Sequence, residues 1–244
     1  MNLALPRFMG AAVLAVLSVP AAAPAADRGS VGQPLWQRAI REVQKSQGLL
    51  AAKVVTHITV RDGDDVFLGS IGSVDVLVAP DKIPPTRVNV SKKSVGSPGI
   101  TMELNLHLED SPGSILEGYA TWNNKGVTEL SGGAVVLWEG VASPEAAGRA
   151  LAYLDPDTAR PQRVDLALPI HSNLGTRLVS VTIDFGPGPG DTWVPVGAVI
   201  DQSGRFMFWK RHLIITKTFQ EWTERVPSGS AASSSTELTA GPPP

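Results

Sequence analysis

The stretch from Trp193 to Trp222 constrains the fold most, because it predicts long β-strands joined by one tight turn. Four apolar residues share one face at period two, namely Val194, Val196, Ala198 and Ile200. Asp201–Gly204 is the predicted turn, since Gly204 accepts a positive φ. The apolar phase then changes, which predicts a one-residue bulge within Lys210–His212.

Both faces of this predicted hairpin are apolar between Phe206 and Trp209. An antiparallel sheet commonly leaves one face in water and alternates apolar and polar residues along each strand. An apolar second face must be covered by a helix, another sheet or a ligand. We therefore expect the sheet to carry more apolar surface than its own few helices cover.

The N-terminal residues 1–26 are typical of an export signal. Arg7 supplies the positive charge, Phe8–Val19 the apolar segment, and Ala23–Ala25 the small residues of a cleavage site. A membrane anchor is the alternative, but it needs about 20 apolar residues, and Pro20 interrupts the run. We predict a cleaved signal, no membrane span in the mature chain, and a periplasmic or secreted location.

Composition narrows the classes of protein to which the chain can belong. The chain has no cysteine, so no disulfide can stabilise it, and its core must do so. Its formal net charge of −2 argues against a nucleic-acid partner. Residues 227–244 are rich in Ser, Ala, Gly and Pro, which predicts a disordered tail. Residues 27–226 form one predicted domain.

The remaining pattern is mainly β with few helices. A helix is predicted over Pro34–Gln47, and a second, short one over Ser143–Leu151. About ten segments alternate like strands, and the strictest alternation is at Met102–Leu108. Short connections between them predict a single antiparallel sheet that curves or closes.

Three further local predictions concern connections. Ile115–Trp122 is a predicted strand, followed by a turn at Asn123–Gly126. Asp155–Thr158 is a second predicted turn.

Motifs for catalysis and metal binding are missing from the sequence. There is no G-x-S-x-G elbow and no H-E-x-x-H pair. The four histidines lie far apart in the sequence, without a second ligand at helical spacing. We therefore predict that the chain is not an enzyme and has no catalytic residue, metal or cofactor.

The aromatic residues are the candidates for a binding site. Large rings suit either ordinary core packing or the lining of an apolar cleft, and the sequence leaves both open. The candidate lining residues are Trp122, Trp138, Trp193, Phe206, Phe208 and Trp209. Arg205, Lys210 and Arg211 are candidates for contact with a lipid headgroup or carboxylate, although such charges also protect edge strands.

The C-terminal part of the chain resembles a known family. The residues that carry the resemblance are Asp155–Pro161, Trp193–Pro195, Ser203–Arg211 and Thr218–Trp222. Together they resemble the outer-membrane lipoprotein-sorting superfamily, the LolA/LolB-like fold. That resemblance implies an incomplete antiparallel barrel around a hydrophobic cavity, with helices as a lid. Members carry lipoprotein acyl chains, bind lipids or sense envelope stress.

Two functional hypotheses follow from these observations. The first is binding of a lipid or acyl chain in a half-barrel cavity, with lipid or lipoprotein carriage as an extension of it. The second is an envelope protein–protein interaction module with a fully packed core and no ligand.

Overall fold

A computed structural model describes residues 33–96, 108–116, 119, 121–141, 148–172, 175–206 and 209–225. These residues form one α-helix, α1, and ten β-strands. The bounds in chain order are α1 Gln33–Gln44, β1 Leu49–Asp62, β2 Phe67–Ala79, β3 Thr86–Gly96, β4 Thr121–Leu130, β5 Gly133–Val141, β6 Arg149–Leu154, β7 Pro161–Ser172, β8 Gly175–Pro187, β9 Trp193–Phe206 and β10 Trp209–Glu224.

All ten strands belong to one antiparallel sheet, in the order β3-β2-β1-β10-β9-β8-β7-β6-β5-β4. Strands β4 to β10 follow the chain as a meander, and β1 pairs with β10 as the third and fourth strands of the sheet. Within the described ranges, β3 and β4 are the two edges and do not pair with each other. The predicted fold class, mainly β with an incomplete antiparallel barrel, is confirmed.

Helix α1 is shorter than its predicted range Pro34–Gln47. The backbone amides of Ser46 and Gln47 bond three residues back, to Val43 and Gln44, so the last turn tightens and the helix ends. Gly48 follows with a φ of 90°, a conformation that side-chain-bearing residues rarely adopt. Val43 is buried, as the helical spacing of its apolar neighbours predicts.

The predicted turn at Asp201–Gly204 is wrong, because β9 continues through it to Phe206. Asp201 pairs with Ile214 of β10 and Ser180 of β8, so two neighbouring strands outweigh the turn propensity of the sequence. The predicted bulge at Lys210–His212 is also wrong, since the β9–β10 register runs without a shift. The change of apolar phase instead marks the passage from β9 to β10.

The predicted turn at Asn123–Gly126 is a β-bulge inside β4. The register with β5 shifts between Asn124 and Gly126, Gly126 has a φ of 94°, and its amide bonds the Asn124 side chain at 2.7 Å. The hairpin turn comes later, at Ser131–Gly132, where both residues have positive φ values of 52° and 84°. The predicted turn segment therefore contains a left-handed residue, Gly126, but the chain does not reverse there.

The predicted short helix at Ser143–Leu151 is wrong at its end. Residues 142–147 lie outside the described ranges, but Arg149–Leu154 is strand β6 and pairs on both sides. Ala150, Ala152 and Leu154 are fully buried at alternate positions, which is the period of a strand.

The predicted strand at Ile115–Trp122 is wrong at its start. A 3-10 turn spans Pro112–Ser114, and Ile115 and Leu116 continue it as a turn before β4 begins at Thr121. The predicted strand Met102–Leu108 lies outside the described residues except for Leu108, which is buried in a turn. The predicted turn at Asp155–Thr158 is confirmed, and one Asp155 carboxylate oxygen accepts bonds from the amides of residues 157 and 158.

The two faces of the sheet carry different side chains. The inner face, on which α1 packs, carries the apolar core. The outer face carries cross-strand ion pairs such as Arg163–Asp184, which are 2.8 Å apart, and on β3 it also carries the exposed Val88 and Val95. The apolar second face was expected at Phe206–Trp209, and the side chains there lie outside the described ones.

A bulge at Val196 changes which residues of β9 face inward, from Pro195 before it to Ala198 and Ile200 after it. Asp184 pairs with Gly197 and Phe185 with Pro195, so Val196 has no partner on β8 and is 36% exposed. The expectation that Val196 shares the buried face of Ala198 is therefore wrong.

Candidate functional site

Two adjacent rows of side chains cross the middle of the inner face. The first row, read across six strands from β2 to β7, is Ile71, Ile58, Ile215, Ile200, Val181 and Leu166. The second row is Gly69, Val60, Leu213, Gln202, Val179 and Leu168. We call these twelve positions the aliphatic field. Ten of the twelve are aliphatic, and the two exceptions are Gly69 and Gln202.

The field is shielded in its centre and accessible at its sides. Ile200, Val181 and Val179 in the centre are at most 1% exposed. Ile58 on β1 and Leu166 on β7 are only partly buried, as are Ile71 beside Ile58 in the first row and Leu168 in the second row. Apolar surface therefore remains open to water on two sides of the field, which lie four strand spacings apart, roughly 19 Å along the sheet.

Gln202 is the one polar side chain of the field. It is 2% exposed, between Leu213 on one neighbouring strand and Val179 on the other. Its Oε1 atom is buried and accepts no hydrogen bond. An unpaired buried acceptor costs about 1–3 kcal/mol, so Gln202 destabilises the field unless a partner reaches it.

An aromatic cluster holds the N-terminal end of helix α1 against β4 and β5. The Trp36 ring stacks on Trp122 of β4 with centroids 4.4 Å apart, and it lies 5.2 Å from Trp138 of β5. Gly140 provides room for the Trp122 ring, because a Cβ at that position would lie 2.9 Å from it. The Trp122 indole donates to the Leu116 carbonyl at 3.2 Å, which ties the preceding turn to the cluster.

A closed ring of alternating charges holds the C-terminal end of α1. Glu42 contacts Lys45 at 2.8 Å and Arg160 at 3.2 Å. Asp191 contacts Lys45 at 3.2 Å and also pairs with Arg160. We call these four residues the charge ring. It joins α1 to the β6–β7 turn and the β8–β9 turn, at the end of the sheet opposite the β9–β10 hairpin.

Each member of the charge ring has a shifted pKa. Burial favours a raised pKa for Glu42, but hydrogen bonds from Lys45 and Arg160 outweigh it and hold that pKa below its usual value. Hydrogen bonds from Arg160 and Lys45 lower the pKa of Asp191. The same contacts raise the pKa of Lys45, chiefly through Glu42, and of Arg160, chiefly through Asp191.

Two largely buried ion pairs hold the segment that leads into β4. Lys217 on the inner face of β10 contacts Glu109 at 3.3 Å, and Arg87 of β3 pairs with Asp110. Arg87 also donates to the backbone carbonyl of Ala51 at 2.9 Å. Breaking one partner of such a pair leaves a buried charge, so this segment is firmly attached beside the field.

The predicted lining residues fall into two separate groups. Trp122 and Trp138 meet through Trp36, and Trp193 lies at the other end of α1, where its ring is 5.3 Å from the Arg160 guanidinium. These three rings contact the chain's own helix and turns, which is the core-packing alternative left open by the sequence. Trp138 is 1% exposed, so its ring is not available to a ligand in this conformation.

The second group lies at the β9–β10 hairpin. Phe206 pairs with Trp209, Arg205 with Lys210, and Arg211 with Gly204. Phe208 is outside the described residues, and the side chains of Arg205, Phe206 and Trp209 are not described. Strand β9 separates Trp193 from Phe206 by thirteen residue steps, roughly 43 Å, so the structure does not bring the two groups together.

The field itself was not among the predicted site residues. Its signal is present in the sequence, since Ile200, Val181 and Ile215 each lie in an alternating strand. The strand order that aligns them into rows depends on β1 pairing with β10, and no local pattern encodes that pairing.

The described ranges show neither a metal site nor a membrane-spanning helix. No group of three His, Cys, Asp or Glu residues lies close enough there to hold a metal ion. Within those ranges, no helix has the length and apolar character needed to cross a bilayer.

Comparison with known proteins gives matches among solved structures. No family model matches the chain, and no curated protein matches it. The chain is similar to a putative outer membrane lipoprotein-sorting protein domain from Vibrio parahaemolyticus, with 9% identity, a TM-score of 0.36, and coverage of 80% of this chain and 90% of that one.

Two further similar structures contain MucB. One is the MucA/MucB complex of Pseudomonas aeruginosa, with 7% identity, a TM-score of 0.24, and coverage of 79% of this chain and 98% of that one. The other is MucB in complex with MucA(peri), with 8% identity, a TM-score of 0.24, and coverage of 80% and 100%. The resemblance noted from the sequence is thus found again among solved structures. TM-scores below 0.5 are too low to carry a family or a function over to this chain.

Proposed function

We propose that this chain is an exported protein that binds an apolar ligand, such as a lipid or acyl chain, on the aliphatic field. The observation that carries the proposal is the pair of accessible sides of the field, at Ile58 and Ile71 and at Leu166 and Leu168. These aliphatic groups face the inner side of an incomplete barrel and are still partly in water.

Burial provides the free energy for binding. Each methylene removed from water contributes about 0.8 kcal/mol, so an acyl chain laid across the field gains affinity along its whole length. Helix α1 packs on the same inner face, where its Ala39 and Val43 belong to the buried cluster that includes Ile200, but Leu166 and Leu168 stay partly exposed beside that cluster. The helix is 12 residues long, about 18 Å, whereas β9 has 14 residues and spans roughly 45 Å.

Titration with a fluorescent fatty acid tests the proposal. Leu166→Thr and Leu168→Thr place a hydroxyl on the inner face while keeping a residue that favours strands. We expect each to weaken binding by about tenfold, because about two buried methylene equivalents are lost. The matched control is Val199→Thr, on the outer face of β9 and 39% exposed, which should bind like the parent protein.

Two results would reject this function. One is the lack of saturable binding by the parent protein, together with a clean ligand-free mass in native mass spectrometry after gentle purification. The other is equal binding by the inner-face and outer-face variants, which would place the probe elsewhere on the protein.

A second candidate function, binding of an envelope protein partner, is favoured by strand β4. This edge strand has exposed residues along most of its length, and Val127 is 75% exposed. An exposed edge can add a strand from another chain. Val127→Pro would remove one backbone N–H from the edge strand, and it should weaken capture of an envelope protein while leaving fatty acid binding intact. Unchanged capture by the variant would exclude this edge.

A further inference from the structure

Gln202 gives the aliphatic field a chemical preference that its other residues do not have. We propose that Gln202 is a specificity residue, which selects apolar ligands that carry a neutral hydrogen-bond donor, a hydroxyl or an amide N–H. This inference rests on the proposed function, because it assumes that an apolar ligand occupies the field.

The first step of the argument is the isolation of the acceptor. Oε1 of Gln202 is buried and has no hydrogen-bond partner. The neighbours in its row are Leu213 and Val179, and those in the first row of the field are Ile215, Ile200 and Val181, none of which has a polar side-chain atom. Buried amides nearly always have partners, so one without a partner indicates that something is missing from its surroundings.

The second step excludes the usual substitute, an ordered water molecule. A buried water is typically held by two to four polar groups. Around Gln202 the backbone amides and carbonyls of β9 are engaged in ladders with β8 on one side and β10 on the other. The field side chains around Gln202 are aliphatic, and in the row on its other side the Arg211 guanidinium donates to the Lys210 carbonyl at 3.0 Å, so these side chains offer a water few partners besides Gln202.

The third step fixes the chemistry of the missing group. A carbonyl oxygen accepts hydrogen bonds and cannot donate one, so the ligand must provide a donor, and it must displace the side chains that bury Oε1 to reach it. The donor must be neutral, because burying an ionised ammonium among aliphatic side chains costs far more than one hydrogen bond returns. An ionised carboxylate has no donor to offer. A hydroxyl or amide N–H within an otherwise apolar molecule satisfies both conditions.

Tested with the full-length protein, hexadecanol and its methyl ether provide a matched pair of probes, because they differ in the donor. Each probe is titrated as a competitor of the fluorescent fatty acid. We expect the parent protein to bind the alcohol about tenfold more tightly than the ether, as for a buried acceptor that gains its partner. Equal binding of the two would overturn the inference while leaving the proposed function intact.

Gln202→Met removes the acceptor at nearly constant volume. We expect the variant to bind both probes equally, and its thermal midpoint to stay the same or rise, since a buried group without a partner has been removed. The matched control, Ile200→Met in the adjacent row, should keep the preference for the alcohol. A preference retained in Gln202→Met would assign it to another residue and overturn the inference.

If the parent protein binds neither probe and does not bind the fluorescent fatty acid, the proposed function fails and the inference fails with it. The parent comparison needs no variant, so a folding defect in Gln202→Met would leave the inference open to refutation.

Discussion

Replacing Trp36 by alanine should detach α1 from the sheet at its N-terminal end. Trp36 is the helix residue that contacts Trp122 and Trp138, with ring centroids 4.4 and 5.2 Å away. Truncating a fully buried aromatic residue costs about 3–5 kcal/mol, and aromatic pairs contribute about 0.5–1.5 kcal/mol each beyond burial. Because Trp36 is only half-buried, we expect a loss of about 3 kcal/mol in the free energy of unfolding.

Urea unfolding followed by far-ultraviolet circular dichroism measures this loss. Trp36→Phe is the control, since it keeps a ring in the same position and should lose about 1 kcal/mol. A double-mutant cycle with Trp122→Phe should give a coupling of about 1 kcal/mol, since the two rings are in contact. A loss below about 1 kcal/mol for Trp36→Ala, or full additivity in the cycle, would refute the view that this stack holds the helix.

Three further predictions concern local features of the sheet. Gly140→Ala places a Cβ 2.9 Å from the Trp122 ring, so we expect a loss of about 1–3 kcal/mol in urea unfolding, and a neutral result would mean that the ring can move. Asp155→Ala removes the acceptor of the β6–β7 turn and should cost about 1–2 kcal/mol, whereas Asp155→Asn should lose less. The pKa of Asp191 is lowered in the folded protein, so its stabilising effect is present above the unfolded pKa and is lost as pH falls through the lowered folded pKa. Thermal midpoints measured from pH 5 downward should therefore converge for the parent protein and Asp191→Asn, with the gap closing below the ordinary aspartate pKa of about 3.9; parallel curves would contradict this.

The strand content could be predicted from the sequence because the alternation of apolar and polar residues is a local signal. Val179, Val181, Ile183 and Phe185 alternate in the sequence and are all buried on one face of β8. The helix α1 was likewise predictable from its apolar spacing and from Gly48. Both signals depend only on neighbours within one element.

Predictions failed where turn chemistry competed with strand pairing. Asn124 and Gly126 favour a reversal locally, yet in the structure they form a bulge because the rest of β4 remains paired with β5. Gly204 similarly lies within a ladder. Single-sequence propensities contain no information on the strand that lies alongside, and that strand decides these cases.

The candidate site was predicted least well, for a related reason. The tryptophans were predicted to line a site because their rings are large. In the structure, Trp122 and Trp138 pack against Trp36 and so attach the helix to the sheet. The field depends on residues from distant strands, such as Ile58 and Ile200, that come into one row only through β10. Its polar member, Gln202, lies in the segment predicted to be a turn, so its burial was not foreseen.

The pairing of β1 with β10 has a consequence for how the chain is made. A chain delivered from its N-terminus offers β1 no lasting partner on that side until its final strand of 16 residues arrives. During synthesis, strands β1 to β3 and the growing meander from β4 would therefore remain separate until β10 is complete. Pairing between strands that lie far apart in the sequence is also slow. For a chain exported as proposed above, the pairing of β1 with β10 would follow transport, so the two parts of the sheet would join on the far side of the membrane.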